Sequence, residues 1–262
     1  MILDFKKMHL VTAIIPTYNE EKNIEAAIKS VLWADEIIVV DSFSTDRTLE
    51  IAKKYPVTIY EHEYVNSATQ KNWIIPQAKH GWIFLLDADE EASDELIAEV
   101  KKTIQLKDAC DAYWIPRINK YMGKWVKYSG WQNDAVIRLF KRDTCKYQDK
   151  HVHSEVETTG KVGRLKYKIK HDAYKDFAVI LKKIDTYSSW KAYDRRRKTK
   201  KVTAFHLVAK PAFKFFKHYI MKLGFMDGRV GFIISSLSAY DVFIRAVKMW
   251  RIEEGEIFKQ NR

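Results

Sequence analysis

Trp82-Ile83-Phe84-Leu85-Leu86-Asp87-Ala88-Asp89-Glu90-Glu91 is the stretch on which the fold turns. Five apolar residues run into a segment in which four of five residues are acidic. The run is short, apolar and preceded by Gly81, which predicts a buried strand. Asp87 and Asp89 then stand at its C-terminal end, the edge of an open α/β sheet where ligands sit. Carboxylates at i and i+2 repel each other unless positive charge lies nearby. Hard oxygen donors in that spacing suit Mg²⁺ or Mn²⁺ bridging two phosphates. The local alternative is that Asp89, Glu90 and Glu91 only open the next helix, with Ser93 as its cap.

Upstream, residues 10–15 predict a strand ended by Pro16, and Thr17-Tyr18-Asn19-Glu20 a loop of capping groups. An amphipathic helix is expected over 21–33, with Ile24, Ala27, Ile28, Val31 and Leu32 on one face. A β-branched strand over 36–40 ends at Asp41 and leads into Ser42-Phe43-Ser44-Thr45-Asp46. A helix over 47–55, a strand over 57–60, a helix near 67–78, the strand at 82–86 and a helix near 94–106 complete the alternation. Short links between strands and helices imply a parallel sheet with right-handed crossovers. No Gly-x-Gly-x-x-Gly follows the first strand, so the usual dinucleotide phosphate loop is missing. After Lys107 the pattern changes to strands at 112–116, 135–140 and 164–169, amid Tyr113, Trp114, Tyr121, Trp125, Tyr128 and Trp131. Aromatic rings of this kind can platform a sugar face.

The 262 residues are 47% hydrophobic, enough for one sizeable core and an appendage. Cys110 and Cys145 make neither a metal spacing nor a disulfide framework, so a reducing compartment is expected. No signal peptide is expected at the charged N-terminus, and no uncharged apolar stretch of about 18 residues predicts a spanning helix. The net charge is +12, and residues 175–262 hold 20 Lys+Arg against 8 Asp+Glu, which is the whole excess. That region reads as helical, with a basic cluster over 195–201 and an aromatic, basic segment over 212–219 after Pro211. Residues 224–231 read as a turn region, and 232–250 as an apolar helix interrupted by Asp241, Arg245 and Lys248. Helices apolar on one side and basic on the other can lie in a bilayer interface; they can equally pack on the body or on a second subunit.

Three motifs occur in order: Ile14-Ile15-Pro16-Thr17-Tyr18-Asn19-Glu20, then Val39-Val40-Asp41-Ser42-x-Ser44-Thr45-Asp46, then Asp87-Ala88-Asp89. Together they resemble the family 2 glycosyltransferases over about residues 10–172. The resemblance implies a GT-A fold, α/β and Rossmann-like, with a mostly parallel central sheet and flanking helices, followed here by a C-terminal helical region. It further implies an inverting mechanism, a nucleotide-diphosphate sugar donor and a Mg²⁺ or Mn²⁺ cofactor. Trp131-Gln132-Asn133-Asp134, Arg138-Leu139-Phe140, Val152-His153, Val162-Gly163-Arg164-Leu165, His171 and the segment 224–229 are similar to the lipopolysaccharide-core β-1,4-glucosyltransferase subgroup. A catalytic domain over 1–174 is expected, with a nucleotide-sugar half at 8–106, an acceptor half at 107–174, and a basic helical region at 175–262.

The resemblance carries roles onto these positions. Pro16, Thr17, Tyr18, Glu20, Asp41, Ser44, Lys71, Asp87 and Ala88 would bind the donor. Asp87, Asp89 and His171 would hold the metal. Asp134 would be the catalytic base, with Asp149 and Glu155 as runners-up, and Trp131 and His153 would face the acceptor. The residue before Asp134 is Asn133 where the family has Glu, and Ser154 follows His153 where the subgroup often has Glu. Plainer readings stand beside these: an Asp134–Arg138 ion pair, a satisfied loop histidine at 153, and a solvated helix face for Lys71. A single carboxylate base suffices for one displacement, whereas a retaining glycosidase needs two flanking the bond. The expected partners are a UDP-sugar, a cell-envelope glycan or glycolipid acceptor and an anionic membrane. The expected place is the inner face of the cell membrane, as a peripheral protein or a homo-oligomer. A nucleotidyltransferase would want a basic, glycine-rich loop after the first strand, and residues 16–21 contain neither Gly nor Lys/Arg. A nucleic-acid-binding protein would use the basic end and leave the acidic sheet edge without a purpose.

Overall fold

The computed structural model describes residues 9–148, 155–174, 177–199 and 201–258. Contacts divide the chain into two units: Met1–Ile118 with Asp134–His171, and Asn119–Asn133 with Asp172–Arg262. The boundary drawn from sequence at residue 174 thus differs from the contact boundary over 119–133.

In the first unit β1 (Val11–Thr17), α1 (Ile24–Ser30), β2 (Glu36–Asp41), α2 (Thr48–Ala52) and β3 (Thr58–Glu61) alternate as the sequence predicts. α3 (Ser67–Ile74) follows and leads through a 3₁₀ turn into β4 (Trp82–Leu85); β5 (Glu90–Ala92) and α4 (Asp94–Thr103) come next. Strands β3, β2, β1 and β4 lie parallel in that order. Beyond β4 the sheet turns antiparallel with β8 (Ala135–Lys141) and β6 (Ala112–Tyr121). The middles of β1, β2 and β4 are apolar on successive residues because both faces are covered. Val11, Ala13, Ile15, Val39, Phe84 and Leu86 join one core cluster with α1 and α4. Their neighbours Ile14, Ile38, Val40, Ile83 and Leu85 join the other with α3. Pro16 costs β1 no ladder bond: the N–H that proline lacks would point toward β4, whose pairing with β1 has already ended at Ile14–Leu85.

Two sequence expectations fail here. Residues 164–169 are not one strand: β11 (Val162–Arg164) pairs with β6, and β12 (Ile169–Tyr174) pairs with β5, on either side of a break. Glu90 does not open α4 but lies fully buried in β5, while Ser93 caps the helix by accepting from the Leu96 N–H. The short β7 (Lys124–Val126), β9 (Cys145–Tyr147) and β10 (Val156–Thr158) carry too few residues for a period to be read.

The second unit is built on α5 (Phe177–Arg196), α6 (Lys210–Phe216) between two π turns, and α7 (Gly228–Glu253). Its core joins Tyr121, Val126, Ile180, Val230 and Ile234, with Trp131 packed against it. The expected turn over 224–231 is shorter: a 3₁₀ turn, Gly224–Asp227, gives way at once to α7. Gly231 lies inside that helix, where an added Cβ would come within 1.8 Å of the Gly224 carbonyl oxygen. Residues 224–253 are long and apolar enough to cross a membrane by length and composition alone, where the sequence reading expected no such helix. Asp241, Arg245 and Lys248 interrupt the apolar run in that reading.

Candidate active site

The parallel register sets Thr17 beside Asp41 and Ile14 beside Leu85. The C-terminal ends of β2, β1 and β4 therefore lie side by side and bring Asp41, Thr17 and Asp87 to one rim, the usual ligand edge of such a sheet. Asp41 is fully buried, and its carboxylate accepts from the Ser44 N–H at 2.7 Å and the Ser44 hydroxyl at 2.5 Å. Ser44 Oγ accepts from the Asn19 N–H, and Asn19 Oδ1 accepts from the Thr45 N–H. These bonds lock the loops after β1 and β2 together. Both loops hold a non-glycine residue in the left-handed region, Asn19 at φ 54° and Phe43 at φ 60°. Such conformations persist only where neighbours over-determine them, and they collect at binding sites. The rings of Tyr18 and Phe43 are exposed. The buried Thr17 Oγ1 has no hydrogen-bond partner among the described residues. Pro16 is half-buried in β1, and Glu20 opens α1, its carbonyl accepting from the N–H groups of Asn23 and Ile24.

A chain of alternating charges runs from this rim into the sheet. Lys71 Nζ lies 3.4 Å from Asp87 Oδ1, and Arg138 Nη2 donates to Asp87 Oδ2. Arg138 Nη2 also donates to Glu90 at 3.0 Å, and Arg117 Nη1 reaches Glu90 Oε1 at 3.2 Å. Arg117 then forks onto Asp134, Nε to Oδ2 and Nη2 to Oδ1, both at 3.0 Å. Three cations and three carboxylates alternate, so the charges buried in the network compensate each other. Burial would raise the Asp87 pKa, but Arg138 and Lys71 outweigh it and hold the carboxyl well below the usual range. Glu90 further accepts from the Asp87 N–H at 3.1 Å, which fixes the start of the acidic loop.

Two of the plainer readings are corrected by these contacts. Asp134 pairs with Arg117, not with Arg138 four residues on, because it lies just before β8 begins. Lys71 is not on a solvated face: it is buried, with Nζ 5.1 Å from the centre of the Tyr147 ring. The sequence reading gives Glu90 and Arg117 no part in the site, and Arg138 only a place in a motif and as an alternative partner of Asp134. The signal is there in part, since neighbouring carboxylates demand positive charge, which a buried guanidinium supplies as well as a metal does.

Asp89 lies on the far side of the buried Ala88, and its Oδ2 is 3.5 Å from His171 Nε2. The pairing of His171 with Glu90 across β12 and β5 places the imidazole there. Among the described residues no group of three or more His, Cys, Asp or Glu side chains converges as a metal cage. One carboxylate and one imidazole at that separation fit an ion that takes its remaining ligands from phosphate and water. Glu155 is exposed beside the β9–β10 hairpin, its carbonyl accepting from the Gln148 N–H. Trp131 belongs to the second unit, 6.3 Å from Tyr121 in an edge-on contact. Asp149 and His153 lie outside the described residues.

A sequence profile described as Glycosyl transferase family 2 matches residues 12–186. The chain belongs to glycosyl transferase family 2. It is an enzyme that transfers glycosyl groups, as the ordered motifs implied. Relatives span nearly its whole length. A Rickettsia prowazekii protein named "Uncharacterized glycosyltransferase RP128" is 29% identical over 92% of this chain and 87% of its own. The lipopolysaccharide core biosynthesis glycosyltransferase LpsC of Rhizobium meliloti is 24% identical over 92% of each chain. Among solved structures, S. aureus TarS 1-349 in complex with UDP-GlcNAc superposes with a TM-score of 0.50 at 16% identity, covering 91% of this chain and 81% of that one. The fold of this family 2 member is therefore GT-A, with a central mixed sheet, flanking helices and a helical C-terminal region.

Proposed function

We propose that this family 2 enzyme inverts the anomeric centre of a UDP-sugar, a hexose such as glucose, as it moves that sugar onto a cell-envelope glycan. The rim that carries Asp41, Thr17 and Asp87 on three neighbouring strand ends is the observation that supports this most directly. Thr17 Oγ1 and the exposed Tyr18 and Phe43 rings offer the base a hydrogen bond and a stacking face, with Pro16, Glu20, Asp41 and Ser44 shaping the loop around it. Lys71, Asp87 and Ala88 take the ribose and diphosphate. Asp89 and His171 would hold a divalent ion, which when bound neutralises charge on the departing diphosphate.

Asp134 is the base in this reading. It removes the acceptor hydroxyl proton as that oxygen attacks the anomeric carbon and the nucleoside diphosphate leaves. The Arg117 fork, one N–H to each Asp134 oxygen, fixes the orientation of the carboxylate that would take the proton. Trp131 and His153 are assigned to the acceptor side on the sequence motif. A lipopolysaccharide-core acceptor is supported by the full-length match to LpsC. In this reading residues 1–174 form the catalytic domain, with the donor half at 8–106 and the acceptor half at 107–174. Residues 175–262 hold it peripherally on an anionic membrane surface.

The test is a thermal-shift panel of nucleotide sugars with and without Mn²⁺, since a bound donor raises apparent stability by mass action. The Mn²⁺-dependent shift with UDP-sugar should vanish in Asp89→Ala. Asp134→Asn should keep the shift and lose transfer by about 10²-fold or more. A full Mn²⁺-dependent shift in Asp89→Ala removes the metal assignment; unimpaired transfer in Asp134→Asn removes the base.

A further inference from the structure

The second unit contains a cavity of about 550 Å³ that the reading above does not use. Its wall carries Arg195, Arg197, Lys198, Lys210 and Arg245, against one carboxylate, Asp194. Val242, Ala246 and Met249 of α7, all buried, form its apolar floor. Among the described residues no carboxylate is paired with Arg195, Arg197, Lys198 or Lys210. The Arg245 guanidinium is mostly buried, and its ion-pair partner is Asp241, one helical turn away at 3.6 Å. Burial and the neighbouring Arg195 charge both lower the Arg245 pKa, and burial and Lys210 lower that of His206, which also lines the cavity. Of the five cations, Arg195, Arg197, Lys198 and Lys210 are exposed, while Arg245 is largely withdrawn from water, where a neighbouring like charge is screened less than in open solvent.

We infer that this cavity binds a phosphomonoester group. A phosphomonoester brings about −1.5 to −2 charge and three acceptor oxygens, which suits several converging Arg and Lys donors better than a single carboxylate does. The volume takes a whole phosphorylated small molecule, and the apolar floor suits the carbon skeleton that carries the phosphate. A nucleic-acid backbone would instead follow a long basic track. The phosphate can come from a soluble phosphorylated sugar or from a lipid headgroup. The inference is independent of the roles given to the acidic rim.

The test uses the full chain and two probes: glycerol 3-phosphate by calorimetry, and phosphatidylcholine vesicles with and without phosphatidic acid by sedimentation. Arg195, Arg197 and Lys198 are exposed, so replacing all three with Gln leaves the core untouched. A control variant replaces Lys53, Lys54 and Lys107 with Gln for the same loss of charge. The pocket variant should bind glycerol 3-phosphate at least about tenfold more weakly, the scale of one lost charged hydrogen bond, and the control within about twofold of the parent. In the parent, the His206 ring resonances should shift on titration. If phosphatidic acid vesicles are lost together with glycerol 3-phosphate, the source is a lipid headgroup; if vesicle binding survives, it is a soluble phosphorylated sugar. Pocket and control variants that behave alike with both probes would overturn the inference. So would displacement of glycerol 3-phosphate from the parent by a ten-residue oligothymidine at lower concentration, which marks a polyanion track.

Discussion

Glu90 has no exposed surface, yet it answers two guanidiniums and a backbone N–H at once. Removing its charge leaves Arg117 and Arg138 buried with only Asp134 and Asp87 to share. Breaking a buried pair from one side costs about 3–5 kcal/mol, far more than an exposed pair is worth. Glu90→Gln should therefore lower stability by about 3 kcal/mol in urea melts, and a change below 0.5 kcal/mol would mean that water already solvates the site. Glu36 makes a different test at the other end of the sheet. Its carboxylate accepts from Thr12 Oγ1 at 2.7 Å and the Lys79 N–H at 2.8 Å, with Lys79 Nζ at 3.4 Å. Burial would raise its pKa, but these donors outweigh burial and lower it. A lowered folded pKa means that the stabilisation is fully present above the unfolded value, about 4.3, and is lost as pH falls through the folded one. Glu36→Gln should cost about 1–2 kcal/mol at pH 7, and the gap between variant and parent should close as pH falls from 4 toward 2. A gap that stays constant with pH would show that the carboxylate charge is not what Thr12 and Lys79 recognise.

At the scale of elements, what could be read in advance followed from periodicity. The runs at β1, β2 and β4 are apolar enough to need cover on both faces, which alone implies strand–helix alternation and places Asp41 and Asp87 at one edge. What could not be read was pairing between distant segments. Arg117 meets Asp134 across 17 residues and Arg138 meets Asp87 across 51, and no local pattern encodes either contact. The Glu90 strand escaped notice for a related reason: three residues carry no period, and acids before a capped helix look solvated until a buried arginine answers them. The segment 224–229 is a third case, a motif without a stated purpose that acquires one in the folded chain. Asp227 accepts from the Lys127 and Tyr128 N–H groups at 3.0 Å and from the Ser129 hydroxyl at 2.8 Å. It clamps a loop in which Ser129 and Gly130 both have positive φ, at 59° and 90°. Asp227→Ala should cost about 2 kcal/mol, since the two N–H groups lose their acceptor, and should speed amide exchange at Lys127 and Tyr128. Unchanged exchange there would mean that the loop holds itself.

At the scale of the molecule, the question is what the helical unit does with its apolar surface. α7 is apolar enough to span a bilayer, but its interior polar groups are already answered within the unit. Lys248 Nζ donates to the Asp185 carboxylate and carbonyl of α5 and to the hydroxyls of Ser188 and Ser189, all within 2.9 Å. That arrangement favours packing on α5 over exposure to lipid, where a charged side chain is costly. The surface left over is a different one. Phe205, Val208, Phe213, Phe216, Ile220 and Met221 are all exposed along 205–221, beside Lys214 and Lys217. Apolar side chains buried shallowly in headgroups, with basic neighbours attracted to anionic lipid, bind a surface without crossing it. The lipid dependence should then have two separable parts. Phe213→Ser with Phe216→Ser should weaken sedimentation with anionic vesicles by about tenfold or more at any salt, because apolar burial of about 1.5–3 kcal/mol per ring is not screened. Raising salt from about 0.1 to about 0.5 M should weaken the parent by screening the basic side chains and leaving the rings unaffected. A double variant that still sediments as the parent does at high salt would place the rings against protein, and a second copy of the chain would then be the surface they cover.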